Sequence, residues 1–342
     1  MPILAVQNGA GANRFALFMG CIVLAIIVGY VARRLGLLKS AWAGRIMSSA
    51  IIGCDAPIAI VAIWHLDLKP GVGLVPLAGG IVGIVTCLIG LAVARMMRMR
   101  PADAAVFGLQ SGMGNVGYTL GGCICFAVWG IQGLALEQMF CLMWPFFAFL
   151  FCFPIARLYG EAAAGGGEKL PLAAYAVRTL WRSLTDLRSL PLYTATAGLL
   201  LNLATVTPPA AITESHIIDV LMVAGIFMQF GSVGMTLRAR RIPDFWRPAL
   251  GSGAIKFLVS PLLMLGLAMV LGLSGDALAV CVILAAMPTA LYSVLMANLF
   301  GLNKDLANTT FILTHAIALT VIAAIAGWWY FAGAAALSVP GS

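Results

Sequence analysis

Apolar residues gather into ten long segments, at approximately 15–32, 42–64, 73–95, 104–129, 132–156, 189–206, 216–236, 247–272, 277–300 and 306–331. A helix that crosses the hydrocarbon layer needs about 20 mostly apolar residues. The pattern therefore predicts an all-α polytopic membrane protein with ten transmembrane helices. The polar stretches between segments are short, except the one from Arg157 to Arg188. Within it, Val177, Leu180, Trp181, Leu184 and Leu187 recur at helical spacing between Arg178, Arg182 and Asp186. That spacing predicts an interfacial helix leading into the sixth span.

Composition narrows the class. Of 342 residues, 62% are hydrophobic and only 9% charged, against about 45–50% and about 25% in soluble domains. A soluble enzyme, a disordered chain and a disulfide-rich secreted module are excluded. The net charge of +8 could suggest nucleic acid, but its distribution is topological. Basic residues collect in alternate connections: Arg33, Arg34, Lys39 and Arg45; Arg95, Arg98 and Arg100; Arg157, Lys169, Arg178, Arg182 and Arg188; Arg238, Arg240, Arg241 and Arg247; Lys304. The other connections hold Arg14 and Lys69, and Lys256 falls inside a span. This asymmetry assigns the basic face to the cytoplasm and both termini to the outer side. Trp42, Trp181 and Trp246 at cytoplasmic ends, with Trp64, Trp129, Trp328 and Trp329 at outer ends, form the expected aromatic belt. A cleavable signal peptide is not expected, because Arg33 and Arg34 follow the first apolar run.

Three landmarks recur at one offset of 173: Ser40 with Thr213, Asp103 with Asp276, and Gln132 with Asp305. Ser, Thr and Asp suit helix starts because their side chains accept from free backbone N–H groups. The offset divides the chain into a five-helix repeat at 1–157, a cytoplasmic connection at 158–188 and a second repeat at 189–342. Five being odd, the repeats have opposite orientations, a common transporter architecture.

The fourth and ninth spans cannot be regular helices. Gly108, Gly112, Gly114, Gly117, Gly121, Gly122 and Gly130 interrupt the fourth, each costing about 1 kcal/mol relative to Ala in a helix. Pro288 interrupts the ninth. Asn115 lies 12 residues after Asp103, as Pro288 does after Asp276, so both breaks are expected about 18 Å along their helices, near the midplane. Freed backbone groups at that depth are tolerated only where they line a protein-enclosed cavity, and freed helix N-termini attract anions. Gln110, Ser111, Asn115, Tyr118, Thr119, Pro288, Thr289, Tyr292, Ser293 and Asn298 surround the breaks. They form a candidate substrate site, with Asn115 and Thr289 at its centre. The competing reading is helix packing through Gly108/Gly112 and Gly117/Gly121, which have small-xxx-small spacing.

Asp55 and Lys256 are intramembrane at similar depth. Such residues mark a pathway or a partner. Lys256 is a candidate counter-charge for an anion; Asp55 is a candidate to gate it by pairing, or to carry a coupling proton; a static structural pair is the plainer alternative. His315, inside the tenth span, reads first as a packing residue and second as a proton relay. The cysteines at 21, 54, 87, 123, 125, 141, 152 and 281 read as small apolar residues. No zinc, hydrolase or ATP-binding motif occurs. No enzymatic activity, metal or cofactor is expected, nor is primary active transport by this chain alone.

Several stretches resemble the auxin efflux carrier family. They are Gly29-Tyr30 with Arg33-Arg34 and Gly36; Gly114-Asn115-Val116-Gly117-Tyr118; Leu187 to Gly198 around Pro191; and Met287-Pro288-Thr289 followed by Phe300 to Asp305. The resemblance implies two inverted five-helix repeats, crossing broken helices four and nine, and carriage of small organic anions, either auxin or dicarboxylates such as malate and malonate. Asn115 and Pro288 match the family's crossover. One departure is that Thr119-Leu120-Gly121 stands where the family usually has Gly-Leu-Pro, so the fourth-helix break here rests on glycine. The expected function is a secondary active carrier in a bacterial inner membrane, with the lipid bilayer and a small organic anion as its partners and a homodimer compatible with the sequence. A sodium-coupled symporter and a non-transporting membrane sensor are the alternatives.

Overall fold

The computed structural model describes residues 10–164, 171–237 and 241–337. Lys169, Arg238 and Arg240 lie outside them, as do the side chains of Thr213, Trp328 and Trp329. Among the described residues all regular structure is helical, apart from one isolated β-bridge. In chain order the helices are α1 (Ala10–Arg34), α2 (Ser40–Trp64), α3 (Val72–Met96), α4 (Pro101–Gly112), α5 (Gly121–Ala164), α6 (Leu172–Leu184), α7 (Leu190–Leu203), α8 (Ile217–Thr236), α9 (Ile242–Val270), α10 (Gly275–Ala285), α11 (Leu291–Leu299) and α12 (Lys304–Leu337). Seven of these helical runs are long and apolar enough to cross a membrane. Outward-facing Leu17, Leu24, Ile27 and Val31 on α1 are each about half exposed, as a lipid-facing surface requires.

The 44 residues of α5 are not one rod. Gly130 adopts φ 61°, ψ −145°, a conformation that needs glycine, and the chain folds back there. A side chain at Gly133 would collide with the Cys125 carbonyl oxygen, so the two arms lie backbone to backbone. This is where the sequence reading separates its fourth and fifth spans.

Contacts between chain ends sort the helices into two layers. Arg14 pairs with Asp219 at 2.8 Å, the Trp64 indole donates to the Val206 carbonyl, and Asn202 donates to the carbonyls of Ile63, Trp64 and Leu66. At the opposite ends Arg33 donates to the carbonyls of Met235 and Leu237, and Asn303 donates to Asp103 at 2.7 Å. Close helix approaches follow glycine: Gly29 of α1 lies on Gly231 of α8, and Gly198 of α7 on Ile60 of α2.

The capping expectations need correction. Ser40 opens a 3-10 turn whose N-cap is Lys39. Thr213 lies within the short helix Ala210–Glu214, and α8 starts after His216. Asp103, Asp276 and Asp305 occupy first helical turns rather than caps, where a negative charge still complements the helix dipole. The true cap of α12 is Asn303, whose Oδ1 accepts from the N–H groups of Asp305 and Leu306. Gln132 ties the Gly130 turn to the connection after α2, through the His65 carbonyl and the Asp67 N–H. The amphipathic helix expected after Arg157 is α6, with Val177 and Trp181 exposed.

Candidate functional site at the crossing of two broken helices

α4 ends at Gly112 and α10 at Ala285. The chain beyond each is extended, and the two extended segments cross. Asn115 N–H donates to the Pro288 carbonyl at 2.7 Å, and Ala290 N–H donates to the Met113 carbonyl at 2.9 Å. Gly114 and Thr289 form the bridge between them. Buried backbone groups must be paired, and here each break satisfies the other. Beyond the crossing, Gly121 and Gly122 at the start of α5 donate to the carbonyls of Asn115 and Gly117.

Successive residues of an extended chain point to opposite faces, so the break has two sides. On one side Asn115 donates through Nδ2 to His315 Nε2 at 3.1 Å. His315 Nδ1 lies 2.9 Å from the Phe311 carbonyl oxygen. A carbonyl only accepts, so Nδ1 carries the proton and Nε2 is the acceptor for Asn115. Thr119 donates its hydroxyl to Asn115 Oδ1. Thr289 meets Thr314 at 3.0 Å between hydroxyls. Both Thr314 and His315 belong to α12, which thus holds both broken segments.

On the other side Gly114 and Val116, with Gly112, line a small pocket of about 30 Å³. Lys256 projects into it from α9, its Nζ 3.4 Å from the Gly112 carbonyl oxygen. Lys256 is the only buried lysine or arginine among the described residues, 3% exposed.

The remaining candidates are distributed around this centre. Gln110 Nε2 donates to Ser293 Oγ and, at 2.8 Å, to the Ala307 carbonyl, while its buried Oε1 has no partner. Ser111 turns away, donating to the Phe107 carbonyl and meeting Ser252. Tyr118 donates to Gln138. Tyr292 packs edge-on against Trp144, their rings 4.8 Å apart, and Asn298 donates to the Val294 carbonyl of its own helix. Asp55 is not paired with Lys256; both its oxygens accept from Gln229 Nε2, at 2.9 and 3.1 Å. Among the described residues Lys256 is in no ion pair. Asp55 and Lys256 do share a backbone feature: both lie in π-helical segments, Ile51–Asp55 and Ile255–Val259, a distortion frequent at functional sites.

Sequence reasoning missed Glu137. It is fully buried, accepts from Gln138 Nε2 and from Cys141 Sγ, and so joins Tyr118 through Gln138. The signal was present, since Glu137 is an acidic residue five positions into the fifth segment. His315 was visible but read first as packing.

Sequence comparison finds similar proteins among membrane transporters. Residues 191–326 match the family described as "Membrane transport protein". The chain is 30% identical over 173 residues to "Auxin efflux carrier component 3a" of Oryza sativa subsp. japonica, covering 47% of this chain and 27% of that protein. It is 27% identical over 168 residues to "Probable auxin efflux carrier component 9" of the same plant, covering 47% and 39%. It is 34% identical over 115 residues to "Auxin efflux carrier component 1" of Arabidopsis thaliana, covering 33% and 18%. The chain thus spans less than half the length of each. Over part of its length the chain is thus similar to auxin efflux carriers and to a family of membrane transport proteins.

Proposed function

We propose that the chain is a secondary active carrier of small organic anions, dicarboxylates or auxin-like carboxylates, working by alternating access at the crossing. The observation that carries this reading is the mutual pairing of Asn115 with Pro288 and of Met113 with Ala290. It holds two helix interruptions together inside an apolar bundle, the place where transporters bind substrate. Asn115, Thr289 and Pro288 form the centre of the substrate site. Gln110, Ser293 and Tyr118 support its edges, Ser111 packs the α4 segment, and Lys256 contributes the positive charge from the opposite face of the break.

The ten-span, two-repeat architecture is part of the proposal. If the first five spans correspond to the last five, first-with-seventh maps onto sixth-with-second. The α1–α8 and α7–α2 glycine contacts are such a pair. The two layers of helix ends agree with the alternation set by the basic residues, with both termini on the outer side of a bacterial inner membrane and a homodimer allowed.

Counterflow in proteoliposomes with labelled malate, malonate, lactate and indole-acetate is the test. Exchange of at least one is expected; exchange of none by folded protein overturns the reading. Asp55 is proposed as the proton-coupling group, because its carboxyl group accepts from an amide and is in no ion pair among the described residues. Asp55→Asn is expected to retain counterflow and to lose uptake driven by a proton gradient. Sodium-driven uptake that persists in Asp55→Asn would instead select a sodium-coupled symporter.

A further inference from the structure

Glu137, in the second arm of α5, has no part in the function proposed above. It is fully buried, and its two oxygens accept from Gln138 Nε2 and from Cys141 Sγ, the latter at 3.0 Å. Among the described residues it is in no ion pair. The titratable groups within reach of its charge are Asp55 of α2, Tyr118 of the extended segment, Cys123 and Cys125 of the first arm of α5, and Cys141. None of them can supply a positive charge. A buried carboxylate without a cation is expensive, and a proton removes that cost. The ionised form has support of its own. A Cβ at Gly122 would stand 3.1 Å from Glu137 Oε2, so the carboxyl group lies against the first turn of α5, where a negative charge is favoured. Burial and the helix start pull in opposite directions, which is the condition for a group that changes state.

The hydrogen bonds around it have a direction. An ionised carboxylate only accepts. With Glu137 ionised, Gln138 turns its Nε2 to the carboxylate, which leaves Gln138 Oε1 facing the Tyr118 hydroxyl, and Tyr118 donates to it. Every hydrogen in this chain of three groups points toward Glu137. A protonated Glu137 has a hydrogen to give. The strong acceptor beside it is the Gln138 amide oxygen, whereas the Cys141 sulfur is a weak one. Gln138 must then rotate its amide by half a turn. Its Nε2 now faces the Tyr118 oxygen and donates to it, and the Tyr118 hydrogen loses its acceptor. Tyr118 is half-buried and belongs to the broken segment itself. Its neighbours are Gly117, where a Cβ would meet nothing within 4 Å, and Thr119, which donates to Asn115 Oδ1. The freed hydroxyl is therefore a donor carried by the break.

We propose that Glu137 is a proton-binding group and that Tyr118 reports its state at the break. Uptake of one proton from water by Glu137 reverses the hydrogen-bond chain through Gln138. Tyr118 changes from a donor to Gln138 into an acceptor from it, and its hydroxyl hydrogen becomes available to water or a ligand. The site is separate from Asp55, whose oxygens are both engaged by Gln229. The assignment concerns proton binding and hydrogen-bond direction, and stands whether or not the chain is a carrier.

The test is infrared difference spectroscopy of the purified full-length chain in nanodiscs, across a pH series from acid to mildly alkaline. A C=O band of a protonated carboxyl group is expected to grow as pH falls. Glu137→Gln should delete that band, Asp55→Asn should retain it, and Glu137→Asp, which keeps a carboxyl group, should shift it. The tyrosine C–O band that is missing in Tyr118→Phe should move with the same midpoint as the carboxyl band, because the phenol changes from donor to acceptor. Gln138→Leu should keep a titrating carboxyl band and abolish the movement of the Tyr118 band. That variant separates a relay through Gln138 from a general effect of pH on the fold, and it decides the matter even if Glu137→Gln fails to fold. A Tyr118 band that is indifferent to pH, or one that still moves in Gln138→Leu, overturns the assignment. So does a titrating carboxyl band that neither Glu137→Gln nor Glu137→Asp alters. Carboxylate counterflow tests the carrier reading separately, so either can fail alone.

Discussion

Asn115→Ala is expected to lower carboxylate counterflow by at least about tenfold while the protein still inserts and folds. Asn115 engages three elements at once: its N–H pairs with Pro288, its amide donates to His315, and its carbonyl oxygen accepts from Thr119. Alanine keeps the first and removes the other two. Buried His315 Nε2 then loses its partner, at about 1–3 kcal/mol for a buried polar group left unsatisfied, and about 1.4 kcal/mol already corresponds to a factor of ten. The loss falls on the geometry of the crossing, because the residue sits in the break rather than in a packed helix face. His315→Ala alone should produce a comparable defect, and the double variant should be little worse than either single one. Additive losses in that cycle would show that the two side chains act separately.

Much of this arrangement was legible in the chain and some was not, for physical reasons. Hydrophobic runs reveal where a chain must be buried or lipid-facing, so the Gly130 reversal and the helix after Arg157 were readable. Helix-breaking residues declare themselves locally, so Gly112 to Gly121 and Pro288 pointed to the interruptions, and equal distances from Asp103 and Asp276 predicted that they meet. Which way a side chain points from an extended segment depends on its register with another segment. That register is set by the Asn115–Pro288 and Ala290–Met113 pairs and cannot be counted along one strand. Hence Asn115 and Lys256, read as one site, face opposite sides of the break. Similar depth likewise suggested that Asp55 could meet Lys256, but depth fixes one coordinate of three, and Asp55 meets Gln229 instead. Caps failed for a related reason. A serine or threonine near a helix start is only a candidate until the first turn is placed, and Asn303, one residue before α12, was not considered.

Gly112→Leu is expected to destabilise the protein strongly, whereas Gly117→Leu, five residues on, is expected to leave stability nearly intact and to impair transport. At Gly112 a Cβ would stand 2.6 Å from the Gly83 carbonyl oxygen and 2.7 Å from Cys87 Cβ. The obstacle is the backbone of α3, which cannot swing aside as a flexible side chain can. Overpacking of this kind costs about 1–3 kcal/mol and sometimes more. At Gly117 a Cβ would meet nothing within 4 Å, and its φ is not among the positive values along the backbone. The glycine pattern of this segment therefore serves two purposes that sequence spacing alone does not separate. Gly108 and Gly112 let α4 approach α3, with Gly108 set against Leu91; Gly117 keeps space open beyond the crossing. Thermal unfolding of the detergent-solubilised variants should show a lowered midpoint for Gly112→Leu alone, and counterflow should be deficient in both. Equal midpoints for the two variants would refute this division. So would full counterflow by Gly117→Leu, because a side chain filling that space must then leave the substrate path unobstructed.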